Sequence, residues 1–145
     1  MTDPLMAKIE RGVFGHAWHG PAWAELLADV TEEQAAAQTS IGKHSIGEIV
    51  LHVAIWMELA KQAIDGHPMP TGFAGKGDWI PMTDWPQAKT RFEKAARELI
   101  VRSPDPEETV PGRHYDFEHL LDGIAQHNAY HGGQVRLLKN AFGHS

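Results

Sequence analysis

The segment from Ser45 to Ile64 constrains the fold more than any other part of the chain. Ser45-Ile46-Gly47-Glu48 has capping-box spacing, so a helix begins there. Ile46, Ile49, Val50, Val53, Met57, Ala60 and Ile64 follow at three- and four-residue steps and share one face. Leu51 and Ile55 lie on the opposite side. A helix that is apolar nearly all round must be buried on more than one side.

The partners for that burial are also helical. Asp3-Pro4 places a carboxylate at an N-cap and proline just inside, opening a helix that Leu5 to Phe14 carries. Gly12, Gly15 and Gly20-Pro21 weaken and break it, and Ala22 to Val30 resumes as a second helical piece. Thr31-Glu32-Glu33-Gln34 is a capping box for a short helix ending at Ala35 to Ala37. Asp84-Trp85-Pro86-Gln87 starts a long helix with Ala88, Phe92, Ala95, Leu99 and Ile100 at helical spacing, stopping before Pro104. After a turn at Pro111-Gly112 the last helix begins near Asp116, with Phe117, Leu120, Leu121, Ile124, Val135 and Leu138 as its core stripe.

With no strand pattern, no repeat and no second composition, these elements predict one all-α domain over residues 1–145, a four-helix bundle. Between Asp65 and Thr83 runs a long connection rich in glycine and proline. It is either a solvated crossover between helices or a wall of a site, with Asp78 and Trp79 facing a ligand.

Hydrophobic residues at 42% and charged residues at 22% exclude a disordered or fibrous chain. A net charge of −6 without any basic run argues against a nucleic-acid partner. The apolar stretch from Ile46 to Ile64 is interrupted by Glu48, His52, Glu58 and Lys61, so it is not a membrane span. Without cysteine there is no disulfide, zinc ribbon or protein thiol. The start Met1-Thr2-Asp3-Pro4-Leu5 has neither a basic nor an apolar leader region, and a cytoplasmic protein is expected.

Ten histidines in 145 residues are the compositional oddity. On the last helix, with about 100° per residue, His127 and His131 fall in the arc of Phe117, Leu120, Ile124, Val135 and Leu138. They stack one turn apart and can point at one ion. Imidazoles on a core face are costly unless their nitrogens have partners, either backbone carbonyls and water or a metal. His52 lies mid-helix at the edge of the stripe led by Ile49 and Trp56. If its helix packs on the last one, three imidazoles converge. His16, His19, His67, His114, His119 and His144 have no partner at ligand spacing and read as surface or capping residues, and His44 as an exposed loop residue or one near the site mouth.

The stretch from His44 to Val53 resembles the second-helix motif of the DinB/YfiT-like superfamily, and Gly123 to Val135 is similar to its closing motif. Trp18-His19-Gly20-Pro21 resembles the end of that family's first helix. The resemblance implies an up-down-down-up bundle with a divalent metal on His52, His127 and His131. It also implies metal-dependent chemistry, either hydrolase-like or transfer with a low-molecular-weight thiol.

Three imidazoles leave coordination positions open, the pattern of a catalytic metal rather than a structural one. Water there would ionise near neutral pH, or a thiol substrate would bind as thiolate. Zinc or nickel is the first expectation, iron or manganese the next, since imidazole suits several metals. Glu48, one turn before His52, is either the base for hydrolysis or simply the capping residue. Gln134, on the side of His127, is placed to orient a ligand or a water, and Asn128 to satisfy core polar groups. The remaining alternatives are a metal-bearing module that binds a small molecule without turnover and an interaction protein with a vestigial metal. Leu51 and Ile55, pointing away from the main stripe, together with the family resemblance predict a homodimer.

Overall fold

Each helix starts where its sequence places a cap. The computed structural model describes residues 2–18 and 20–143; His19 and His144, read above as surface or capping residues, lie outside them. Helix α1 spans Pro4–Phe14, α2 Trp23–Leu27, α3 Glu32–Ala36, α4 Ile46–Ile64, α5 Trp85–Ile100 and α6 Phe117–Ala141. Asp3, Asp84 and Asp116 each accept a first-turn backbone N–H, at 2.8, 3.0 and 2.9 Å. Thr31 and Ser45 form reciprocal capping boxes with Gln34 and Glu48. These bonds satisfy N–H groups that a helix end would otherwise leave without partners.

Pairing across the helices gives their directions. Arg91 forks onto Glu58 at 2.8 and 2.9 Å, and Arg102 onto Asp65 at 3.0 and 3.1 Å. The pairs advance together along both chains, so α4 and α5 run parallel. Lys8 meets Asp122 at 3.2 Å, and Pro4 and Leu5 border the same groove as His119 and Leu121, so α1 and α6 also run parallel. Leu138 lies beside Gly42, whereas Asn128 reaches Met57, so α6 runs against α4. The course is therefore up-down-down-up. Helix α1 packs on α5 and α6, and α4 on α5 and α6, which sets α1 diagonally across from α4.

One apolar cluster fills the space between them, including Met6, Ile9, Val53, Met57, Leu99 and Leu121. Among the described residues, the only extended pairing is the isolated bridge of Thr109 with Asp116, which frames the Pro111-Gly112 turn. Gly112 has φ +79°, a conformation that a side chain resists. No helix is long and apolar enough to cross a membrane.

The outward-facing role expected for Leu51 and Ile55 does not hold. Both are only 6% exposed within one chain. A four-helix count underestimates the cover on α4, because α3 and the end of the crossover also lie against it. At Gly47 a Cβ would sit 2.5 Å from Met82 Cγ and 3.0 Å from the Ala35 carbonyl oxygen. Glycine there admits both neighbours. The apolar surface that motivated pairing through α4 is consequently used up inside the chain.

Candidate metal centre

The packing of α6 against α4 brings His52, His127 and His131 together. One ring nitrogen from each lies within 4.8 Å of the others. The ring centroids are 4.9 Å apart for His52 and His127, 4.7 Å for His52 and His131, and 4.5 Å for His127 and His131. His52 and His131 are buried, and His127 is half-buried.

Hydrogen bonds fix which nitrogens remain free. His52 Nδ1 lies 2.8 Å from the Asp78 carbonyl oxygen, which can only accept, so Nδ1 carries the proton and Nε2 the lone pair. His131 Nδ1 donates to Gln134 Oε1 at 2.6 Å, again leaving Nε2 free. His52 Nε2 faces His127 Nε2 at 3.0 Å. In the protein alone His127 must donate across this gap, whereas a cation takes the lone pairs of both rings.

Burial lowers the pKa of all three imidazoles, with repulsion from the neighbouring rings adding to it. His127 is lowered to about 4. All three are thus held in the neutral form that a metal ligand requires. Two nitrogens on one tetrahedral zinc, each at about 2.0–2.1 Å, lie roughly 3.3 Å apart, close to the 3.0 Å observed. His127 Nδ1 is buried without a hydrogen-bond partner. Donor set, protonation and spacing all fit, and the cluster is capable of holding a divalent metal ion.

The profile of the DinB superfamily matches residues 17–135, which include all three histidines. The chain belongs to the DinB superfamily. Among curated proteins and among solved structures, nothing matches it. The DinB match also takes in α4, the crossover and most of α6, the parts that build the cluster.

Within this DinB fold the end of the crossover, at Asp78 and Trp79, lies against the histidines, while residues 71–77 are largely exposed. Trp79 lies flat against His52, with ring centroids 3.8 Å apart and planes 5° from parallel. Its other face carries His44 at 3.6 Å and 8°. His44 is therefore neither a free loop residue nor a ligand; it is stacked behind the indole. Asp78 is 3% exposed, and its carboxylate accepts from Trp56 Nε1 at 3.0 Å and from the Gly75 backbone at 2.7 Å. Tyr130 stands edge-on to His131 at 5.1 Å, and Trp56 edge-on to His127 at 6.1 Å.

Other expectations resolve unevenly. Gln134 orients an imidazole directly. Glu48 accepts from the Ser45 backbone and from Gln38, both at 2.9 Å, and its second oxygen lies 3.9 Å from His44 Nδ1. Burial alone would raise its pKa, but these bonds outweigh burial and lower it. The Asn128 side chain does little to satisfy core polar groups: its amide nitrogen meets Met57 Sδ at 3.6 Å, and its side-chain oxygen Oδ1 has no partner. Trp23 and Trp85 are core residues, but Trp18 is fully exposed. His16, His67, His114 and His119 are exposed, as expected.

Proposed function

We propose that this DinB-superfamily chain is a metal-dependent enzyme acting on a small molecule, with His52, His127 and His131 as the ligands. The observation that carries this reading is the convergence of three neutral imidazoles, two of them fixed by hydrogen bonds so that their free Nε2 atoms turn inward. Zinc or nickel is the first choice of metal, iron or manganese the next. A divalent ion bound there supplies Lewis acidity that activates water for hydrolysis or a low-molecular-weight thiol for transfer. The chain's own residues prepare the site: Asp78 and Gln134 hold the tautomers of His52 and His131. The rings of Trp56, Trp79 and Tyr130 offer apolar walls for an organic substrate. Trp79 stacked flat on His52 favours a second reading, a metal-bearing binder whose site stays covered.

Elemental analysis of protein prepared without added metal is expected to find about one zinc or nickel per chain. Model esters, amides or thiol conjugates should turn over, and a chelator should stop them. Metal with binding but no turnover would select the binder, and a chain that neither carries nor takes up metal would end both. Light scattering checks whether two copies pair, an expectation that now rests on family resemblance alone.

Glu48 separates cap from base. Glu48→Ala is expected to lower stability by about 1 kcal/mol through loss of the box, with metal content unchanged. Glu48→Gln keeps an acceptor for the Ser45 N–H and should restore that stability in urea titrations. If activity nevertheless falls in Glu48→Gln, the carboxylate acts in the reaction; if activity persists, Glu48 is only a cap.

A further inference from the structure

We propose that Asp78 latches the 65–83 crossover onto the metal centre, so that metal loading and loop closure are coupled. The proposal rests on the metal-site reading above. Asp78 bonds in three directions at once. Its main-chain carbonyl accepts a hydrogen bond from His52 Nδ1–H, while its carboxylate accepts from Trp56 Nε1 of α4 and from the Gly75 N–H within the loop. A carboxylate 3% exposed with two good donors is a fixed point rather than a swinging side chain. Fixing it fixes the carbonyl, and the carbonyl sets the tautomer of His52. Trp79, the next residue, lays its ring on the same imidazole.

The rest of the crossover has much less to hold it. Its start is pinned by Met69 N–H on the Pro111 carbonyl at 2.9 Å and by Arg113 on the Pro70 carbonyl at 2.6 Å. Between those anchors and Asp78, residues 71–77 are largely exposed, and Gly72 and Gly75 take positive φ of 64° and 79°. Pinned at one end by the turn before α6 and at the other by Asp78, the segment lifts away from His52 only by releasing the bonds of Asp78, together with the edge-on contact of Phe73 with Trp56. Opening therefore withdraws the acceptor from His52 Nδ1. A hydrogen-bond partner on the far nitrogen of a ligating imidazole commonly contributes roughly 10–100-fold in metal affinity. Coupling is reciprocal, so metal must favour the closed loop by the same factor by which the closed loop favours metal. Asp78 is on this account a positioning residue that touches neither metal nor substrate.

Calorimetric titration of the metal-free full chain with zinc or nickel measures the first half of the coupling. Asp78→Ala should bind roughly 10–100-fold more weakly, with Asp78→Asn in between because one acceptor oxygen remains. Trp56→Phe removes a single donor while keeping most of the ring, and it decides the case if Asp78→Ala fails to fold by circular dichroism. Cobalt substituted for the natural metal should show a visible spectrum altered in Asp78→Ala, which a purely structural role would leave unchanged. Limited trypsin digestion at exposed Lys76 measures the second half: metal should slow cleavage in the parent and lose that protection in the variants. Parent-like affinity and spectrum in the folded variants, with cleavage at Lys76 indifferent to metal, would overturn the latch while leaving the metal site standing. A parent that takes up no metal would overturn the metal-site reading and the latch with it.

Discussion

His127→Ala and His131→Ala are each expected to abolish stoichiometric metal, with affinity falling by well over about 100-fold. The loss exceeds that from an outer hydrogen-bond partner, roughly 10–100-fold, because a coordinating lone pair disappears rather than a constraint on one. Metal-free protein should respond quite differently. His127 Nδ1 is buried and unpartnered, and an unsatisfied buried group costs about 1–3 kcal/mol. Removing that ring relieves the cost, but it opens a cavity and loses the bond across to His52 Nε2, so the effects oppose each other and the metal-free chain should lose only a small part of the parent's urea midpoint. His131 has no unpartnered Nδ1 to relieve, and its bond to Gln134 is lost with the ring. His119→Ala is the control: exposed on α6 beside Tyr115, it should retain full metal content. Equal metal content in all three variants by elemental analysis would rule out this ligand set.

What the sequence shows of this fold is what periodicity and capping can carry. Ser45, Asp84 and Asp116 each mark a helix start because the cap is a local bond between residues three apart. The arc of Phe117, Ile124 and Val135 places His127 and His131 on the core side because the helical advance per residue is fixed. His52 needed one further condition, that α4 packs on α6. The residues that the sequence leaves between two readings are those whose position depends on an irregular backbone. Asp78 and Trp79 reach His52 across a crossover without a period, and His44 is drawn in only through its stacking on Trp79. Gly75-Lys76-Gly77-Asp78 held a local hint, a carboxylate three residues after a glycine whose N–H it could accept. The misreading of Leu51 and Ile55 has a related origin. A helical wheel gives the direction of each side chain but not what lies there, and α3 and the crossover are too short or too irregular to be counted as layers in advance.

Trp23→Ala should cause the largest loss of stability of any substitution considered, and it tests whether the scaffold and the site are separable. Trp23 is 2% exposed, its ring 5.0 Å from Phe92 of α5 and its Nε1–H bonded at 3.0 Å to the Asn128 carbonyl of α6. The five-residue α2 has too few turns to hold itself, so this indole ties it to two long helices. Truncating a buried aromatic costs about 3–5 kcal/mol in transfer and cavity terms, a large share of the roughly 5–15 kcal/mol typical of a whole domain. Urea unfolding of metal-free protein measures it, and a loss under about 1 kcal/mol would mean that α2 contributes little to the bundle. Asn128 adjoins His127 in sequence, yet the indole bonds only its main-chain oxygen. The imidazoles should therefore keep their spacing. A ligand that binds only the folded state adds about 2.7 kcal/mol at a hundredfold excess over its Kd. Zinc or nickel at that excess should raise the stability of Trp23→Ala and of the parent by the same amount, while leaving His131→Ala unmoved. A smaller increment in Trp23→Ala than in the parent would show that α2, through the Asn128 carbonyl, helps to set the position of His127.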